Sequence, residues 1–201
     1  MTDAKKRFDK NIDSILVLSS IYDYLKQQVT AFDLSEVLRA EYVLIVSSLD
    51  FYIHEIVRNG LLKKFDEQNN DTGLDKVAIP LDIVKVLLNT DGVERKQILN
   101  EIIKKILSKD SYQAPQAIEQ ALGIINIKKI WSELVKNTNE SAADVRDKLS
   151  LIINERNKIA HESHINFLTG EKEGIDKQTV TDCLDYIKWF VDKVDYLVEK
   201  N

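Results

Sequence analysis

The stretch ADVRDKLSLIINERNKIAHES, Ala143–Ser163, repeats apolar side chains at intervals of three and four residues. This spacing predicts an amphipathic helix, and Ser141 is placed to be its N-cap. One position interrupts the apolar face, because Arg156 follows Val145, Leu149 and Ile152 in the same series. Burying an unpaired guanidinium is costly, so Arg156 must meet a carboxylate, a set of carbonyls or a bound anion.

A polar column runs beside this apolar face and carries no fixed charge: Ser150, Asn154, Asn157, His161, His164. A merely solvated helix face would normally show Lys and Glu instead. Two ordinary interpretations stay open: an ion pair for Arg156, and an interaction of the histidines with the helix dipole. A zinc site at His161 and His164 is disfavoured, since no Cys is near and His54 is the one other imidazole in the sequence. We therefore expect no metal and no cofactor.

A second polar strip lies in an earlier apolar segment: Ser47, Asp50, His54, Arg58. Asp50 is one helical turn from His54 and could orient its imidazole, as acid and base partners do in many sites. The alternative is a half-buried pair that fixes helix packing. We add the hypothesis that this strip faces the polar column of Ala143–Ser163 across the bundle.

Helical periodicity also covers most of the remaining chain, and no segment alternates with the period of a strand. Gly60 is the expected place for a bend or break in a long second helix, Pro80 begins a short helix, and Asp176 caps a last one. The sequence predicts an all-α helical bundle in a single domain, residues 1–201, with a helical elaboration over 67–138. The expected helices are 3–29, 35–65, 80–88, 93–108, one from 115, one from 126, 141–163 and one after 176.

Composition excludes several classes of protein. Hydrophobic residues make up 44% and charged residues 30%, as in folded helical domains. A formal net charge of -5 argues against a protein that coats nucleic acid without specificity, although it permits a local anion site. Cys183 is the single cysteine, and the longest apolar run, 42–46, is far too short to cross a membrane. We expect a cytoplasmic protein that does not bind membranes.

The end of the helix that carries Arg156 and His161 resembles a known family. The run Arg156–His161, RNKIAH, resembles the Arg-polar-x-x-x-His signature of the HEPN superfamily, in which the two residues lie near a helix end. The segment SSLDFYIHEIVRNGLLKKF, Ser47–Phe65, and the helix after Asp176 are similar to the RiboL-PSP-HEPN branch, a set of small bacterial helical proteins. The resemblance covers about residues 35–66 and 115–200.

The resemblance implies a HEPN-like helical bundle that forms a homodimer, with the two motifs lining a shared cleft. It also implies metal-independent endoribonuclease activity in a toxin or defence context, with attack of the RNA 2′-OH and 2′,3′-cyclic phosphate products. RNA is then the substrate, and an antitoxin or a defence-system protein is the expected partner. Two alternatives stay open: a non-catalytic HEPN module that binds RNA, nucleotide or a partner protein, and a structural or regulatory subunit.

The motif assigns roles to individual residues. Arg156 is expected to hold the scissile phosphate, His161 to transfer protons, and Asn157 to orient either group. Four further residues are expected to support this catalytic site: Asn154, His164, Asp50, His54.

Overall fold

A computed structural model describes residues 1–28, 32–66, 78–136 and 138–200. Within these ranges the chain forms eight helices and an isolated antiparallel bridge between Ile165 and Lys172. The helices are α1 Asp3–Gln28, α2 Ser35–Asp66, α3 Leu81–Leu88, α4 Gly92–Leu107, α5 Pro115–Ile124, α6 Ile130–Leu134, α7 Ala142–His161 and α8 Lys177–Lys200. The prediction of an all-α fold is confirmed.

The second helix is the centre of the bundle. Its 32 residues extend about 48 Å at 1.5 Å per residue. Its buried face contributes side chains with no exposed area, among them Ile45, Leu49, Tyr52 and Ile53. α1, α4, α5, α7 and α8 all pack against it, so α2 carries the apolar core that the other helices cover.

Side-chain contacts give the helix directions around α2. Arg7 of α1 pairs with Glu55 at 2.8 Å and Ser19 bonds to Glu41, so α1 runs antiparallel to α2. α7 is also antiparallel, because its Ile152 carbonyl accepts from the Tyr42 hydroxyl at 3.4 Å and His164, just beyond α7, meets Arg39. The carboxyl end of α7 therefore lies beside the amino-terminal turns of α2.

Gly60 does not break α2, contrary to the expectation from sequence. The helix continues through this position, and the end of α5 approaches the backbone closely there. A Cβ at residue 60 would lie 2.5 Å from Cγ2 of Ile125, which is closer than carbon atoms can pack. The glycine is explained by a close helix contact rather than by a turn.

The middle of the chain is helical from α3 to α6, and its described residues share the core of the bundle. Residues 67–77, at the start of the predicted elaboration 67–138, lie outside the described residues. Lys64 donates to the Ile124 carbonyl at 3.3 Å, and α4 and α5 both contact α2. The single-domain organisation of residues 1–201 stays a prediction.

Two predicted helix caps are present around the segment of interest. The Ser141 hydroxyl accepts from the Asp144 amide at 3.0 Å, and the Asp176 carboxylate accepts from the Thr179 amide at 2.8 Å. These bonds satisfy amides that the first turn of a helix leaves unpaired. The amide and hydroxyl of Thr179 lower the pKa of Asp176. None of the helices in the described parts of the chain is long and apolar enough to span a bilayer.

Candidate functional site

Arg156, Asn157 and His161 lie together in the last two turns of α7. Arg156 Nη1 donates to Asn157 Oδ1 at 3.1 Å and lies 3.5 Å from His161 Nε2, at the long limit of a hydrogen bond. The imidazole is exposed, and the guanidinium and the amide are half-buried. If Nη1 donates here, the lone pair of Nε2 accepts that hydrogen bond and the proton of the neutral ring is on Nδ1.

The Arg156 guanidinium has no carboxylate partner among the described residues. Its Nε is buried and makes no hydrogen bond to any residue that the structure describes. By contrast, Arg7, Arg39 and Arg58 each pair with a glutamate at 3.0 Å or less. A buried donor without a partner is costly, so the Nε of Arg156 stands out among the arginine side chains that the structure describes.

Asn154 is exposed one turn before Asn157, on the same polar column of α7. It is therefore available to a ligand that extends along the helix from Arg156. The site is an open surface, and a cavity of about 520 Å³ lies elsewhere, between α6 and the end of α8.

His164 does not face the same way as His161. Its side chain is fully buried, and Nδ1 accepts from Arg39 Nε at 3.2 Å. Its Nε2 lies 2.8 Å from Glu155 Oε1 but makes no hydrogen bond to any of the described residues. His164 was expected to support the site; its ring is enclosed by protein and has no access to a ligand, so any support comes through its contacts within the protein.

Asp50 and His54 are not brought to this segment. His54 Nδ1 lies 2.8 Å from the Asp50 carbonyl, and Nε2 lies 3.1 Å from the Leu107 carbonyl. The Asp50 carboxylate accepts from the Tyr112 amide at 2.6 Å, beyond α4. These contacts join α2 to α4, which is the packing role that the sequence left open.

The two polar strips therefore do not face each other. His164 contacts α2 at Arg39, and His54 is 15 residues farther along that helix. This separation is about 22 Å along the helix axis.

Sequence reasoning overlooked Arg39 and Glu155. Arg39 begins a series with Tyr42, Val46 and Leu49 at intervals of three and four residues, so it occupies a position on an apolar seam as Arg156 does. It is 5% exposed. The position of Arg39 on the seam was therefore visible in the sequence. Its partner, His164, lies 125 residues away, and no local pattern indicates the pairing.

One group of side chains resembles a cation site. Ligand atoms of Glu155, His164 and Glu173 lie within 4.8 Å of one another. Lys158 Nζ already lies 3.7 Å from Glu155 and 3.6 Å from Glu173, so an ammonium offsets part of the charge of the two carboxylates. Because Arg39 donates to Nδ1, the neutral imidazole carries its proton on Nε2, the atom that a metal would need. The donor set does not suit a metal ion.

The helical bundle and the Arg156–His161 pair at an exposed helix end define the class of protein, a HEPN-type domain. The family model for RiboL-PSP-HEPN matches residues 9–200, and the chain belongs to this family. Membership makes the protein a nuclease-related or RNA-related module in the general sense. Comparisons with curated proteins and with solved structures found no match.

Proposed function

We propose that this protein is a metal-independent endoribonuclease of HEPN type. Two copies of the chain bring their Glu155–His164 segments together and form one composite site for RNA. The observation that carries the proposal is the half-buried Arg156 guanidinium, which pairs with no carboxylate among the described residues and has an imidazole 3.5 Å from Nη1. This is a phosphate-binding group beside a proton-transfer group.

Cleavage of RNA without a metal ion has three requirements: removal of the 2′-OH proton, stabilisation of the charged phosphorane-like transition state, and protonation of the departing 5′ oxygen. Arg156 donates to the non-bridging phosphate oxygens, and Asn157 holds the guanidinium through its bond to Nη1. His161 takes or gives the proton, and His161 of a second copy supplies the complementary step. Asn154 contacts the adjoining RNA backbone.

The activity test uses purified protein and a fluorescent single-stranded RNA in buffer with EDTA. General acid-base catalysis contributes about 10²- to 10⁴-fold, so we expect His161→Gln to lose activity by that factor. Products should carry a 2′,3′-cyclic phosphate and a 5′-OH. Loss of parental cleavage in EDTA, or full activity in His161→Gln, would overturn the proposal.

A charge-matched control distinguishes the site from general electrostatics. Arg156→Gln should abolish cleavage and lower the slope of log affinity against log salt by about one phosphate contact. Arg146→Gln removes an exposed arginine from the same helix three turns earlier and should leave cleavage unchanged. Equal losses in both variants would assign the effect to net charge.

The non-catalytic alternative is supported by the same guanidinium, which has no carboxylate partner among the described residues, because a phosphate-binding group does not by itself require turnover. RNA binding that depends on Arg156, with no cleavage by the parent protein, would select this module. Growth arrest on induced expression, relieved by His161→Gln, would support the toxin or defence context. A sedimentation experiment tests the homodimer.

A further inference from the structure

Arg39 ties three parts of the chain together at the carboxyl end of α7. Its Nη1 donates to Ser35 at 2.6 Å and Glu36 at 3.0 Å, both on α2. Its Nε donates to His164 at 3.2 Å, and Nη2 donates to the Glu173 carbonyl at 2.7 Å. One buried guanidinium thus holds the end of α7 and the returning loop against α2.

The backbone of His164 is fixed as firmly as its ring. The His164 amide donates to the Lys158 carbonyl at 2.9 Å, and its carbonyl accepts from the Glu173 amide at 2.7 Å. Ser163 and His164 have φ angles of 53° and 55°, a left-handed conformation that is unfavourable for residues with a side chain. The buried contacts of His164 hold the chain in this unfavourable conformation.

The same contacts determine where Glu155 lies. Glu155 precedes Arg156 in sequence, and its Oε1 lies 2.8 Å from His164 Nε2. Its Oε2 lies 3.7 Å from Lys158 Nζ. Both carboxylate oxygens of Glu155, the acid next to Arg156 in sequence, therefore contact other side chains on another face of the helix. The contact also joins the two ends of the segment that contains Asn157 and His161.

We propose that Arg39 and His164 are positioning residues for the Arg156–His161 site, an inference that rests on the proposed function. They hold the last turn of α7, which would otherwise fray, and they hold Glu155 away from the Arg156 guanidinium. His161 lies in that turn. A misplacement of 1 Å in a catalytic group costs about 10²-fold in rate. The contacts of Arg39 thus make the position of the reacting groups depend on the packing of α7 against α2.

The kinetic test compares Arg39→Gln and His164→Gln with the parent at saturating and at low RNA concentration. We expect kcat to fall about 10- to 100-fold while KM changes little, because the phosphate-binding side chain remains but the proton-transfer group is displaced. Arg39→Lys keeps the charge but loses the bonds to three elements, so it should not restore kcat.

The matched control is Tyr186→Phe. The Tyr186 hydroxyl donates to the Val145 carbonyl at 2.5 Å, in the first turn of α7, and this bond is buried. Its loss removes a buried contact on the same helix, 11 residues from Arg156 and about 16 Å along the axis. This variant should lose stability but keep kcat.

Hydrogen exchange provides a readout that does not depend on cleavage. The amides of Glu162 and His164 both donate to the Lys158 carbonyl. They should exchange at least about 10-fold faster in Arg39→Gln and His164→Gln, and at the parental rate in Tyr186→Phe. If a buried substitution prevents folding, Glu155→Gln serves as a milder variant. It should also increase the exchange rates of the Glu162 and His164 amides.

The outcomes separate the two proposals. If the parent does not cleave RNA, the proposed function fails, and the exchange rates still test the positioning role. If the parent cleaves and folded Arg39→Gln keeps parental kcat, the positioning inference is overturned. Unchanged exchange at Glu162 and His164 in every folded variant also overturns it.

Discussion

Replacing Gly60 by alanine tests the helix packing at the centre of the bundle. Two opposing effects set the result. Alanine is favoured over glycine in a helix interior by about 1 kcal/mol. The added Cβ would lie 2.5 Å from Ile125 Cγ2 and 3.0 Å from Ile125 Cβ. The second atom is the branch point of the side chain and cannot rotate away, so the helices must separate.

The overpacking effect should be the larger one. Forcing a methyl group into a packed interface costs about 1–3 kcal/mol, so Gly60→Ala should lower the free energy of unfolding by up to about 2 kcal/mol after the gain in helix propensity. Urea unfolding followed by circular dichroism measures this as a lower midpoint at constant slope.

Gly123→Ala is the matched control. Gly123 lies in α5, and a Cβ there meets no atom within 4 Å. The substitution should be neutral or stabilising by up to about 1 kcal/mol. Combining Gly60→Ala with Ile125→Ala should recover part of the loss as a favourable coupling energy. The reasoning is refuted if Gly60→Ala is as stable as Gly123→Ala, or if the double substitution shows no coupling.

Two further predictions follow from buried groups on α2 and α8. Burial raises the pKa of Glu41, although Ser19 donates to its carboxylate. The carboxyl group of Glu41 therefore keeps its proton to higher pH in the folded state than in the unfolded state. Its contribution to the free energy of unfolding is complete below the ordinary pKa of 4.5 and is lost as pH rises through the folded pKa. Glu41→Gln should accordingly stabilise the protein more at pH 7 than at pH 4 in urea unfolding, and a difference independent of pH would contradict this. Burial also raises the pKa of the Cys183 thiol to about 12, so a thiol reagent at pH 8 should react at the rate of unfolding, and fast labelling of the native protein would be inconsistent with the packing.

The residues of the proposed site can be identified from local sequence, but the residues that hold them in place cannot. Asn157 and His161 are four residues apart on one helix, so helical spacing predicts that they share a face, and the long side chain of Arg156 reaches both. His164 belongs to the same sequence column, yet two left-handed residues turn it away after the helix ends. A periodicity argument is valid only while the helix continues.

The sequence by itself determined the helices of the bundle, the caps at Ser141 and Asp176, and the segment that carries Arg156 and His161. These features depend on contacts within about four residues along the chain, which helical geometry fixes. Only the tertiary structure decided that α2 passes Gly60 unbroken, that His54 joins α2 to α4, and that Arg39 meets His164. Such contacts join residues far apart in sequence, so packing of the whole chain selects them and no local pattern encodes them.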